Sequence, residues 1–175
     1  MKSKLPLPQE ADLTPEQKDV LAQVLRSRKS ADGPFLAWLH SPVLADRAQR
    51  LGEFCRYQSS LSAAESELLI LCVAAHHDCA AEQYFHEPIA RAAGLDAAAV
   101  DAVRERRDPG FADGRLLTLY RMAAQLLAHN RLDDAVRDQA RQTLGETAFV
   151  EAVGIMGYYA LVAYTLNAFE MYPDV

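Results

Sequence analysis

The uninterrupted apolar run Leu68-Leu69-Ile70-Leu71-Cys72-Val73-Ala74-Ala75 constrains this chain more than any other stretch. It follows Ser62-Ala63-Ala64-Glu65, a capping box in which the serine hydroxyl and the glutamate carboxylate each accept a free backbone N–H at a helix start. A helix opened there is apolar on all sides beyond Glu67. Such a helix is stable only at the centre of a fold, covered by other elements.

Amphipathic helices supply the cover. Thr14-Pro15-Glu16-Gln17 combines an N-cap, a proline at the first helical position and a capping-box glutamine, so a helix should run from there to about Arg28 with Val20, Leu21, Val24 and Leu25 as its stripe. Ser30 to Pro34 breaks it, and Phe35 to His40 allows a short helical piece. Ser41-Pro42 then opens a helix through Leu44, Ala48, Leu51 and Cys55. After the central helix, Asp78 can cap the next one, which ends near Gly94, so the two form an antiparallel hairpin. Leu95-Asp96 starts a short helix through Val103, Asp108-Pro109-Gly110 is a turn, and Asp113 to His129 reads as a further helix. Asp133 to Leu144 follows, Gly145 ends it, and a long final helix begins near Thr147. No segment alternates with period two and no repeat is present, so the fold class is all-α, a bundle of about eight helices. A chain of 175 residues, half of them apolar, buries one sizeable core, so residues 13–175 form a single domain behind a flexible arm of residues 1–12.

A net charge of −6 excludes a basic face for nucleic acid, and the Arg104 to Arg107 cluster is broken by Glu105 and followed by Asp108, as on a solvated helix end. Three cysteines, with no apolar leader behind Met1-Lys2-Ser3-Lys4-Leu5-Pro6, predict reduced thiols and a cytoplasmic location. Ala152 to Phe169 carries no formal charge, but Gly154, Gly157, Asn167 and three tyrosines sit within it and Glu151 and Glu170 flank it. It reads as a buried or interface helix, and no membrane partner is expected.

The reactive side chains crowd into His76-His77-Asp78-Cys79-Ala80-Ala81-Glu82-Gln83-Tyr84-Phe85-His86. With Cys79 opening a helix, Cys79, Glu82 and His86 project within roughly 60° of one another at about 100° per residue. A thiol, a carboxyl and an imidazole then share a face. His86 suits acid/base work, Glu82 lies at i−4 from it, and Glu67 can stand level with it across the hairpin. Carboxyls beside one imidazole push their pKa values apart, which leaves one as a proton donor. Cys79 at a helix N-terminus should have a depressed pKa. His76 and His77 complement the negative end of the preceding helix, whereas Cys55 and Cys72 are packing. His76, Cys79, Glu82 and His86 match no familiar zinc spacing, so neither metal nor cofactor is expected. Trp38, Tyr158, Tyr159 and Phe169 either line an apolar pocket or belong to the core or an interface.

Glu67, then Cys79, Glu82 and His86, followed by Pro88-Ile89-Ala90 and Ala93-Gly94-Leu95, resembles the carboxymuconolactone decarboxylase family, which includes the alkyl hydroperoxidase D-like proteins. The likeness is strongest from Ser62 to Val103. It extends back through Gly33-Pro34-Phe35-Leu36-Ala37-Trp38-Leu39-His40-Ser41-Pro42 and forward to Gly157-Tyr158-Tyr159 and Leu166-Asn167. The resemblance implies an all-helical, alkyl hydroperoxidase D-like fold, a homo-oligomer (dimer, trimer or hexamer) with its site near subunit contacts, and a small-molecule substrate. Hydroperoxidase-like members use a Cys-x-x-Cys pair, and here Glu82 stands where the second cysteine would be. Decarboxylase-like members also lack the dithiol. An arginine often precedes the helix glutamate in the family, and here that neighbour is Ser66, so an anionic substrate needs another cation, for which Arg91, Arg47 and Arg50 are candidates. The leading expectation is a lyase- or isomerase-like enzyme acting on a small organic acid or lactone, with His86 as acid/base, Glu67 and Glu82 tuning it and Cys79 lining the site. The alternatives are a single-cysteine hydroperoxide reductase and a non-catalytic ligand-binding oligomer.

Overall fold

The structure, a computed structural model, describes residues 1–28, 30–112 and 114–174. Its described residues form eight α-helices: α1 (Pro15–Ser27), α2 (Phe35–Trp38), α3 (Pro42–Tyr57), α4 (Ala63–His76), α5 (Ala80–Ala92), α6 (Ala97–Arg104), α7 (Arg115–His129) and α8 (Asp134–Ala168). Both capping boxes form: Thr14 with Gln17, and Ser62 with Glu65. The expected start of α7 at Asp113 lies outside the described residues.

Helix α4 is the axis of the molecule. Every residue from Glu65 to Ala75 is buried, and α5, α6, α7 and α8 pack around it. Its first turn holds a buried charge, because the Glu65 carboxylate accepts from Arg115 of α7 as well as from the Ser62 N–H. Burial alone would raise its pKa, yet Arg115 and Ser62 bring the carboxyl below its usual range.

Helix α8 is assigned as one element, but Gly145 sits within it at φ 78° and ψ 166°, so two helical segments meet there at an angle. The stop expected at Gly145 is therefore a break inside a longer element. That backbone conformation is open essentially only to glycine. The second segment buries Ala152, Ile155, Met156, Tyr158, Tyr159, Val162, Ala163 and Leu166. Although α8 is long and apolar enough to cross a membrane by length and composition, half of its most apolar window is buried inside this bundle.

Three local expectations are corrected. On α3 the buried residues are Ala45, Ala48, Gln49, Gly52 and Cys55, while Leu44 and Leu51 face outward. Small residues bring α3 close to its neighbours, where the large leucines would hold it off. Asp78 does not cap α5: it sits in the turn at φ 50° with its carboxylate on Arg106, and Cys79 takes the N-cap position. Residues 1–12, expected as a loose arm, lie along the carboxy-terminal segment. The backbones of Lys2 and Tyr172 exchange hydrogen bonds at 2.8 and 3.0 Å, Lys4 N–H donates to Phe169, and Leu5 and Leu7 pack on the core.

Candidate functional site

The short turn between α4 and α5 sets the register of the hairpin and brings Glu67 opposite His86. His86 Nδ1 lies 2.7 Å from Glu67 Oε2, and both side chains are buried. A hydrogen bond at Nδ1 fixes the plane of the imidazole and leaves Nε2 to face outward. One turn back on α5, Glu82 Oε2 stands 3.5 Å from that Nε2, too far for a hydrogen bond. Glu82 is 4% exposed, and its Oε2 has no hydrogen-bond partner among the described residues. Burial pushes the Glu82 carboxyl above its usual range, while the positive charges of His86 and Arg56 work against that shift. Expected as two carboxylates flanking one imidazole, the trio is present, and the two carboxyls differ. Glu67 is hydrogen-bonded to the ring and Glu82 is not.

Glu82 and His86 form part of the wall of a cleft of about 560 Å³. Tyr158, Tyr159 and Val162 of α8, Phe85 and Ile89 of α5, and Phe35 of α2 supply its apolar lining. The Tyr159 ring meets His86 edge to face at 5.3 Å, Tyr158 meets Tyr159 at 5.2 Å, and Trp38 backs Tyr158 at 6.3 Å. Burial raises both phenols, so they remain neutral hydroxyls at physiological pH. Of the aromatics singled out in the sequence, Tyr158 and Tyr159 reach the cleft. Trp38 lies behind it, its indole N–H donating to Thr165, and Phe169 is elsewhere.

Cys79 departs from expectation. It is fully buried and absent from the cleft wall, and burial pushes its thiol up to about 11 despite N–H groups of Glu82 and Ala81 directed at the sulfur. The helix terminus favours the thiolate, but the tight turn, in which Cys79 N–H donates to Ala74, keeps water away from it. Desolvation outweighs the terminus here. Cys55 and Cys72 are buried as expected. His77, expected to offset the α4 dipole as a cation, has its pKa lowered by burial and by the neighbouring His76, and its ring lies against Tyr164 at 4.8 Å. Among the described residues no group of three or more His, Cys, Asp or Glu side chains is disposed to hold a metal ion.

The cations nominated from the sequence lie elsewhere. Arg91 binds Glu87 and Asp101, and Arg47 and Arg50 bind Asp46; none of the three lines the cleft. Arg28 and Arg56 line it instead, from the residue after α1 and from the last turn of α3. The signal available in the sequence was weak: Arg56 directly follows Cys55, itself on the buried stripe.

A helical bundle whose central hairpin carries Glu67, Glu82 and His86 into one aromatic cleft defines the class of protein. Residues 42–125 match the model of the carboxymuconolactone decarboxylase family, so this part of the chain is similar to that family. The fold is alkyl hydroperoxidase D-like. An uncharacterized peroxidase-related protein from Silicibacter sp. TM1040 superposes with a TM-score of 0.81 at 16% identity, over 99% of this chain and 92% of that one. The alkylhydroperoxidase AhpD core of Ralstonia eutropha JMP134, an uncharacterized peroxidase-related protein, superposes with a TM-score of 0.80 at 17% identity, over 98% and 92% of the two chains. At such identity the likeness concerns the fold. No curated protein sequence matches this chain.

Proposed function

We propose that the chain is an enzyme that moves a proton on a small organic acid or lactone, in a decarboxylase- or isomerase-like reaction, with His86 Nε2 as the acid/base group. One observation carries this reading. Nε2 belongs to a ring oriented by Glu67 and faces, within the cleft wall, a buried carboxyl oxygen that has no hydrogen-bond partner among the described residues. An unpaired buried carboxyl costs about 1–3 kcal/mol of stability, and such a cost is characteristic of a group kept for function. Its burial favours the protonated form, so Glu82 can supply a proton where Nε2 takes one. In a decarboxylation, carbon dioxide departs without the bonding electrons, and the enolate-like carbanion left behind must be stabilised and then protonated on carbon. A protonated His86 or Glu82 at the cleft wall performs that last step.

Turnover of muconolactone-type acids, followed by carbon dioxide release, tests the proposal with His86→Asn alongside. The variant should lose at least about 10²-fold in kcat/KM, the usual contribution of one positioned acid/base group. Equal turnover by both proteins would remove His86 from the mechanism. The surroundings of Cys79 lend no support to a peroxide-reductase reading, since its thiol is dry and pushed up to about 11.

We also propose that the chain self-associates through α8. Val150, Val153, Gly154, Gly157, Leu161 and Tyr164 recur at helical spacing and are all exposed. The two glycines permit the close backbone approach of a second copy.

A further inference from the structure

The cleft holds a guanidinium, that of Arg56, with no hydrogen-bond or carboxylate partner among the described residues. Ten of the arginines bond to carboxylates, carbonyls or hydroxyls elsewhere in the fold. Arg26, Arg56, Arg121 and Arg131 have no such partner among the described residues, and of these only Arg56 is not exposed. Its guanidinium rests on the Tyr57 ring at 5.2 Å and lines the cleft together with Glu82, His86, Tyr158 and Tyr159. A half-buried guanidinium whose donors meet no protein acceptor among the described residues is open to an anionic ligand. Arg28 lines the same cleft and is held in place: it donates to Ser27 Oγ at 3.0 Å and to the Gln49 carbonyl at 3.1 Å, and it stacks over Phe35 at 4.6 Å.

The charge inventory of the cleft sets the class of ligand. Within a chain of net charge −6, this wall carries two guanidiniums and one exposed carboxylate, Asp32, which accepts from Ser30 Oγ at 2.8 Å. Burial works against charge on Glu82. Two guanidiniums suit an anion, and with Asp32 on the same wall they suit a monoanion better than a phosphate dianion. Beside it, Phe35, Phe85, Tyr158 and Tyr159 suit a flat apolar body.

We infer that Arg56, assisted by Arg28, is the specificity-determining group of this cleft and holds the carboxylate of an aromatic or similarly flat monocarboxylic acid beside Glu82 and His86. This deepens the acid/base reading, and anion recognition by Arg56 is testable without turnover. A guanidinium matches a carboxylate with two parallel N–H···O bonds, and an ammonium at the same place supplies only a point charge.

Calorimetric titration with benzoate, phenylacetate and hexanoate, each against its primary amide and with phenyl phosphate as a further arm, decides the matter. The native chain should bind the carboxylates at least about tenfold tighter than the amides and tighter than phenyl phosphate. Arg56→Met should bring carboxylate and amide within about twofold, and Arg56→Lys should keep an intermediate preference, with circular dichroism melts showing both variants folded. No carboxylate-over-amide preference in the native chain, a preference unchanged in Arg56→Met, or tighter binding of phenyl phosphate would each overturn the inference. The two readings fail separately. Loss of turnover in His86→Asn with no role for Arg56 leaves the acid/base reading alone standing, and an Arg56-dependent carboxylate preference without any effect of His86→Asn on turnover leaves only this one.

Discussion

Glu82 is the residue at which burial and chemistry conflict most. Its carboxyl pKa is raised above 4.5 by burial, so between its unfolded and folded pKa values the native state binds more protons than the unfolded chain. Its contribution to stability is therefore fully present below about pH 4.5 and is lost as pH rises through the folded pKa. Glu82→Gln should flatten this dependence, so that its urea midpoint gains on the native chain as pH rises from 5 to 8; parallel curves would show that Glu82 is not perturbed. Glu67→Gln keeps the size of the side chain but not the charge-assisted hydrogen bond to Nδ1. It should cost about 10–100-fold in kcat/KM with little change in melting temperature, the pattern of a group that orients another. For Cys79, a thiol pKa of about 11 leaves roughly 300-fold less thiolate at pH 7.5 than in free cysteine. Labelling of the folded protein by iodoacetamide should be slower by at least that factor, and labelling as fast as free cysteine would revive the thiol reading. The trio Glu67, Glu82 and His86 was legible because i,i+4 spacing and a short hairpin are local geometry. The state of Cys79 was not, because the dryness of a helix start depends on what packs over it.

At the scale of elements, the contact of α3 with α8 shapes the cleft. A Cβ on Gly52 would lie 2.2 Å from the Tyr158 hydroxyl, and Tyr158 cannot simply turn away, since Trp38 and Tyr159 hold its ring. Gly52→Ala should therefore destabilise the fold by about 1–3 kcal/mol. Tyr158→Ala removes the obstructing ring, so in the double variant the cost of Gly52→Ala should largely vanish. Additive costs in chemical denaturation would contradict that contact. Helix starts were legible in the sequence wherever a cap is built from neighbours in the chain, as at Thr14, Ser62, Asp96 and Asp133. The inner face of α3 was not, because the stripe was assigned to its largest residues, Leu44 and Leu51, and the packing selected its small ones. Arg28 and Arg56 escaped for a related reason: they reach one cleft through the approach of α1 and α3, which no local pattern encodes.

Over the whole molecule, one apolar helix dictated an all-helical bundle, and the structure follows that demand from α4 outward. A sustained apolar stripe lies exposed on α8. Light scattering should find an oligomer, and Tyr164→Glu, which places a charge on that stripe, should shift it towards monomer while leaving the fold intact. A native monomer would contradict self-association. The role proposed for the hairpin of α4 and α5 is to present an oriented imidazole for proton transfer to carbon. Turnover of muconolactone-type acids in deuterium oxide, with the product read by NMR for deuterium at the carbon that lost carbon dioxide, tests it most directly. The native chain should incorporate deuterium, and His86→Asn should do so at least about 10²-fold more slowly. Incorporation at the same rate in both proteins, or none by the native chain, would contradict it.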